Sequence, residues 1–314
     1  YVNLSDEPSL SDRGFAISRI LDTGGQPNGG SDTALPNAAV TLSLAEANDA
    51  PTLSVSAQDR GYTEDDPVLG ALFSGADIST VEAGQSVQSI RLSVSGLDPS
   101  QAGNERITLE GEEIALLDGE SGTLPSGAGY TVSSTGSGVM RIDVTASPGL
   151  SEAGAQALID SIGYRSIEQD PGGQPRRISI ERLRDSGGTA NGGDDATSPG
   201  VSAEIAFTPV NDAPTASATD IGAEATADGL GVFVFANASA DTIESGQALS
   251  RALLTVGGLG DGADERLVID GQEIALVDGN SATTPGGLDL GVSVSGSTAS
   301  VTLDQMALSE EAFA

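Results

Sequence analysis

The chain has 314 residues, of which 46 are acidic and 13 basic, giving a formal net charge of −33. It contains no Cys, His, Trp or Lys, which excludes a histidine base, a thiol nucleophile, the usual zinc and haem ligand sets, a phosphate-loop lysine and any disulfide. The charge opposes nucleic acid and anionic membrane surfaces, and no run of 18 apolar residues is present to span a membrane.

Disorder is the first alternative for so acidic a chain. The pattern argues against it, because hydrophobic residues make up 38% and fall in short alternating runs between Gly, Asp, Asn, Ser and Pro clusters. In chain order, Ile90, Leu92 and Val94 predict a half-buried strand. Ile107 with Leu109, and Ile114 with Leu116, predict two short ones around the turn Glu110-Gly111. Met140, Ile142 and Val144 predict another. Leu150, Leu158 and Ile162 break the alternation and predict one short helix, with Ser151 as its N-cap. Strands resume at Ile178 and Ile180, and at Val201, Ala203, Ile205 and Phe207.

The chain repeats itself. Asn48-Asp49-Ala50-Pro51 returns as Asn211-Asp212-Ala213-Pro214. The same offset pairs Tyr1 with Tyr164, Asp22 with Asp185, Asn28 with Asn191 and Asp32 with Asp195. Val81-Glu82-Ala83-Gly84-Gln85 returns as Ile243-Glu244-Ser245-Gly246-Gln247, and Glu113-Ile114-Ala115-Leu116 as Glu273-Ile274-Ala275-Leu276. Residues 52–214 therefore read as one complete repeat, 1–51 as the C-terminal third of a preceding one, and 215–314 as the N-terminal two thirds of the next. Leu308-Ser309-Glu310 takes the place of Leu150-Ser151-Glu152. Antiparallel strands with one helical crossover predict an all-β protein of tandem immunoglobulin-like β-sandwich repeats, about 163 residues each, with one short helix per repeat.

Two places carry cation chemistry. The loop Asp185-Ser-Gly-Gly-Thr-Ala-Asn191-Gly-Gly-Asp-Asp195, and its twin from Asp22 through Asn28 to Asp32, space oxygen ligands around paired glycines, as a hard cation such as calcium requires. Asp194 is Ser31 in the twin, which makes Asp195 and Asp32 the safer ligands. The alternative is an Asn-Gly hairpin with solvated acids. The second place is the junction between repeats, Asn48-Asp49 and Asn211-Asp212, with Glu64 and Glu82 following it. A cation there would stiffen a joint that bare carboxylates would loosen; the alternative is a polar linker with a turn.

Asn-Asp-Ala-Pro after an alternating strand, Tyr62-Thr63-Glu64, and Tyr164-Arg165-Ser166 before a strand resemble bacterial cadherin-like tandem repeats of large secreted adhesins, including calcium-dependent RTX adhesins. The resemblance implies a calcium-rigidified, non-enzymatic extender at the bacterial cell surface, serving cell adhesion and biofilm. Neighbouring repeats of the same or an identical chain would be its partners, and any glycan or receptor would be met by other domains. It implies ligands among Glu64, Glu82, Asp185, Asn211 and Asp212. The third repeat has Glu224 or Thr226 near the place of Glu64, and the glycine-aspartate nonapeptide of RTX calcium rolls is absent. Other readings are a subunit of an extracellular filament or sheath whose incomplete ends are completed by neighbouring copies, and a carbohydrate-binding module. A carboxylate-pair hydrolase has no recurring pair in its support.

Overall fold

The computed structural model describes residues 1–5, 8–67, 69–99, 103–226 and 231–308, without the side chains of 305–308. Strand accounts for 49% of the chain and helix for 6%, so the protein is all-β. It divides into two compact units, Tyr1–Pro209 and Val210–Ala314.

The first unit is organised by one large sheet. Its order is Ser121–Thr123, Gly129–Gly136, Val139–Leu150, Val87–Ser95, Arg176–Asp185, Val201–Thr208, Arg60–Thr63, with Ala196–Thr197 pairing to Arg176–Asp185. All these pairings are antiparallel except the last, Val201–Thr208 with Arg60–Thr63. A three-stranded sheet, Glu112–Ala115, Glu105–Leu109, Gly163–Ser166, and a two-stranded one, Thr52–Ala57 with Phe73–Ser79, complete the unit. Ile90, Leu92, Val94, Ile142 and Val144 of the large sheet meet Ile107, Leu109, Ile114 and Tyr164 of the three-stranded sheet in one buried core.

Alternation explains most of this. In Arg176–Asp185, however, the buried apolar residues are Ile178, Ile180 and Leu183. The step from two to three is a bulge: Ile180 faces Leu92 and Arg182 faces Arg91, so Glu181 is the extra residue and Leu183 turns inward. Between Leu109 and Glu112 the chain reverses through Glu110 and Gly111 at φ 52° and 85°, the left-handed pair that a tight hairpin needs.

The helix runs Glu152–Asp160, and Ser151 caps it by accepting from the Gly154 amide at 3.1 Å. Leu150 belongs to the preceding strand, while Ala155, Leu158 and Ile159 enter the core. Glu152 accepts from the amide and hydroxyl of Thr80 at 2.7 and 3.1 Å, and Asp160 from the Ala76 amide at 3.0 Å. These bonds tie the helix to the end of Phe73–Ser79. Ser309 and Glu310, the sequence counterparts of Ser151 and Glu152, lie outside the described residues.

The N-terminal segment forms Arg13–Ile17 with Ala38–Leu42, and Ile20–Leu21 with Thr33–Ala34. Arg13 faces Leu42 as Arg176 faces Ile205, so the pairing keeps the register of the sequence repeat. The Val210–Ala314 unit has a four-stranded sheet, Leu249–Gly257, Thr298–Leu308, Asp289–Ser295, Ser281–Thr283. It also has the pairs Arg266–Ile269 with Gln272–Ala275 and Thr215–Asp220 with Phe235–Asp241. Its small core is Ile274, Leu276, Leu290, Val292, Ala299 and Val301.

Candidate functional site

The loop and the junction meet. Asp185 pairs with Val87, which places the 185–195 loop beside the turn holding Glu82 and Gln85. The stretch 46–49, far earlier in the chain, is clasped there. Asp194 N donates to Asn48 O at 2.8 Å, Asn48 Nδ2 to Asp194 O at 2.5 Å, and Asn191 Nδ2 to Glu46 O at 2.7 Å. Glycine is required for the approach: a Cβ on Gly187 would fall on the Asn48 carboxamide, and one on Gly193 on the Asn48 backbone.

Inside the clasp, Asp185 is fully buried. Its Oδ1 accepts from Gly187 N at 2.9 Å and Asn48 Nδ2 at 3.1 Å, while Oδ2 is buried with no hydrogen-bond partner. Glu82 is also buried, accepting from Asp49 N at 2.8 Å and Gln85 Nε2 at 3.1 Å. Gln85 Nε2 also donates to Asn48 Oδ1 at 2.5 Å. Burial pushes the Asp185 carboxyl above the ordinary aspartate range. Asp195 and Glu82 push the same way, against the hydrogen bonds from Gly187 and Asn48. Asp195 is itself ion-paired with Arg184 at 2.7 Å.

The donor set of carboxylates, carboxamides and carbonyls suits a hard cation, and the orphaned Asp185 Oδ2 is the atom such an ion would satisfy. Among the described residues no three acidic side chains are grouped closely enough to hold a metal by themselves. A cation here would draw on the Asn48 carboxamide and backbone carbonyls as well as on Asp185 and Glu82.

Each half of the arrangement recurs once more among the described residues. In the loop 22–32, Asp22 N donates to Asp32 O at 2.9 Å and Asp22 Oδ1 accepts from Gly24 N at 2.8 Å, as in the 185–195 loop. Asn28 has φ 55° and Asn191 φ 58°. Hydrogen bonds from Gln26 and Thr33 hold the Asp32 carboxyl below its ordinary range. In the second unit, Asp212 N donates to Glu244, and Gln247 Nε2 to Asn211 Oδ1 at 2.7 Å. Asp212 Oδ2 and Glu244 Oε2 are buried without hydrogen-bond partners.

Glu64 is not part of this cluster. Its amide donates to Thr208 O at 3.1 Å, beyond the Arg176 end of the sheet. Arg176–Asp185 has 10 residues; at about 3.3 Å each, Glu64 and Asp185 stand roughly 30 Å apart.

That far end holds a second charged group, which the spacing of sequence motifs did not single out. Arg176 is buried against Glu105, with Nε 2.9 Å from each carboxylate oxygen and NH2 2.8 Å from Oε1. Tyr164 OH donates to the same carboxylate. Arg176 also donates to Gln174 O at 2.7 Å and Pro171 O at 3.0 Å and lies 4.6 Å over the Phe207 ring. Glu168 is buried 3.7 Å from Arg176, with neither oxygen hydrogen-bonded. Burial first, then Glu105, pushes its carboxyl up to about 7, against the pull of Arg176; Asp98 and Asp170 add to the rise.

The folded state therefore keeps the Glu168 proton up to about pH 7, whereas the unfolded chain releases it near 4.5. This proton's stabilisation is complete below about pH 4.5 and is lost as pH rises through 7. Glu168→Gln should flatten that part of the stability–pH curve and leave the protein more stable than wild type at pH 8. Denaturant unfolding at pH 5 and pH 8 checks it, and an unchanged slope would refute it.

No helix among the described residues is long and apolar enough to cross a membrane. No family model, curated protein or solved structure matches the chain.

Proposed function

We propose that the chain is a calcium-stiffened extender module of a large extracellular bacterial adhesin, built of tandem cadherin-like β-sandwich repeats. In this role it holds reach and stiffness rather than performing chemistry. One observation carries the reading. Asn48 and Asp49 at the junction, Glu82, and the Asp185–Asp195 loop converge at one end of a unit, with a buried carboxylate oxygen left unsatisfied. An ion at that point would fasten the incoming chain to the body of the repeat, so that bending at the joint would cost coordination energy.

The glycan-binding reading has less behind it. Stacking on sugars needs exposed rings; all five aromatic residues of 52–209, Tyr62, Phe73, Tyr130, Tyr164 and Phe207, are buried, and of the four exposed rings among the described residues Tyr1 and Phe15 pack edge-on against each other, leaving Phe233 and Phe235.

Thermal unfolding of the whole chain in about 10 mM calcium and in excess chelator tests the proposal, since extracellular calcium modules have Kd of about 10⁻⁴–10⁻³ M. At ten times Kd a site contributes about 1.4 kcal/mol. In a unit of this size that is a rise of about 3–6 °C per site. Asp185→Ala should lower the baseline and abolish the calcium-dependent rise of the first unit. An equal melting temperature with calcium and with chelator would sink calcium as the stiffening agent.

A further inference from the structure

The clasp between the 185–195 loop and the 46–49 stretch carries chemistry of its own at Asn191. We propose that Asn191 is a self-modification site that releases the clasp irreversibly. When the clasp opens, the Gly192 backbone nitrogen displaces the Asn191 carboxamide nitrogen, and the aspartate or isoaspartate left behind cannot hold Glu46 again. The reaction involves only the chain itself and does not depend on a cation at the junction.

The first argument is the pair of residues. A backbone nitrogen attacks the preceding side-chain carboxamide fastest when no side chain of its own shields it, which is the case for glycine. Gly192 is glycine for a separate reason, its left-handed φ of 85°. A Cβ there would meet nothing within 4 Å, and both Asn191 and Gly192 are exposed. The turn that the clasp requires therefore sets a reactive pair at the tip of the loop.

The second argument is the closed geometry. Asn191 has φ 58° and ψ 21°, which turns the Gly192 nitrogen away from the Asn191 side chain. Gly193 N donates to Ala190 O at 3.0 Å and keeps the turn closed, while Asn191 Nδ2 is held on Glu46 O at 2.7 Å. Ring closure needs ψ to swing round until the Gly192 nitrogen reaches Asn191 Cγ, and Nδ2 must leave Glu46. The reaction thus proceeds only from the opened fraction of molecules.

The third argument is the product. The Gly192 nitrogen bonds to Cγ, its proton leaves with Nδ2 as ammonia, and water opens the five-membered imide at one of its two carbonyls. Opening at one gives aspartate, at the other isoaspartate. Aspartate has acceptors only, so it meets the Glu46 carbonyl without a donor. It also adds a negative charge to a loop that already holds Asp185, Asp194 and Asp195. Isoaspartate lengthens the main chain by one carbon, three residues before the Asp194 amide that bonds Asn48 O.

The test keeps the full chain at pH 8 in excess chelator for weeks and follows it by peptide mapping. Mapping separates Asn191 from Asn28, the only other asparagine followed by glycine. Each rate is divided by that of the same chain in urea, where no clasp exists. Conversion at Asn191 should appear in the folded chain and run about tenfold faster in Gly193→Ala, whose added Cβ forces the 46–49 stretch away. Asn48→Ala, which removes the bonds to Asp185 and Asp194 without crowding the loop, should also speed it. Conversion at Asn28 should keep its wild-type rate in both. Asn191→Asp, made directly, should exchange the Asp194 amide about three- to tenfold faster than wild type, the worth of one hydrogen bond. Three results would overturn the proposal: no conversion at Asn191 in the folded chain, equal rates in wild type and both variants, or wild-type exchange at Asp194 in Asn191→Asp.

Discussion

Arg176→Ala is expected to destabilise the Tyr1–Pro209 unit by about 3–5 kcal/mol, the usual cost of stranding a buried charge. For a unit of this size the melting temperature should fall by on the order of 10 °C. The reason lies in what remains. Glu105, 3% exposed, would lose both its bidentate partner and its countercharge, keeping only the Tyr164 hydroxyl. Glu168 would lose its nearest cation, and the carbonyls of Pro171 and Gln174 their donor. Adding Glu105→Gln to Arg176→Ala should recover part of the loss, because it removes the stranded negative charge. A double-mutant cycle by chemical denaturation reads this as a coupling of opposite sign to simple additivity. Full additivity of the two substitutions would show that the buried pair does not act as a unit.

Gly193→Ala is expected to cost about 1–3 kcal/mol, the range for forcing an extra carbon into a packed site. The backbone there has φ −67°, which alanine adopts freely, so the penalty is steric. The new Cβ would stand 2.5 Å from Asn48 N and 2.9 Å from Asn48 O. Relief requires the 46–49 stretch to lift away, breaking the Asp194 N to Asn48 O and Asn48 Nδ2 to Asp194 O bonds. The twin position is the control. Gly30 also has φ −67°, but its Cβ would meet only the Pro27 carbonyl at 3.3 Å. Gly30→Ala should change stability by less than about 0.5 kcal/mol. Hydrogen exchange at Asp194 should speed up by about tenfold for each 1.4 kcal/mol lost in Gly193→Ala, and stay unchanged in Gly30→Ala. Equal effects of the two substitutions would mean that the clasp does not hold the junction.

Elements governed by near neighbours were legible. Ile90, Leu92 and Val94 alternate and form a buried strand, and Ser151 caps the helix. The 185–195 and 22–32 loops take the same turn geometry although one is docked on Asn48 and the other stands on an exposed hairpin, because Asx-type bonds and paired glycines act within a dozen residues. The bulge at Glu181 was not legible. Alternation stops after Ile180, and only the pairing with Leu92 and Arg91 shows which residue is extra. Nor did nearness along the chain place Glu64. It follows Asn48-Asp49 closely in sequence, yet the parallel pairing of Arg60–Thr63 with Val201–Thr208 carries it to the opposite end of the sheet. The Glu168–Arg176–Glu105 group was hidden for the same reason: three charged residues among 59 carry no mark of burial until strands distant in sequence close over them.

Ile17 and Ile180 show where the division falls. They are the same residue, at equivalent places in strands of equivalent pairing, and one is 54% exposed while the other is 0% exposed. Local propensity and alternation, written in the sequence, make both of them strand. Burial, and with it the energy that alternation serves, depends on the second neighbour: Ile180 also faces Leu92 of Val87–Ser95, whereas Arg13–Ile17 pairs with Ala38–Leu42 alone among the described residues. Only the tertiary structure decides that, because the hydrophobic effect acts on whatever surface lies opposite, however far away in sequence.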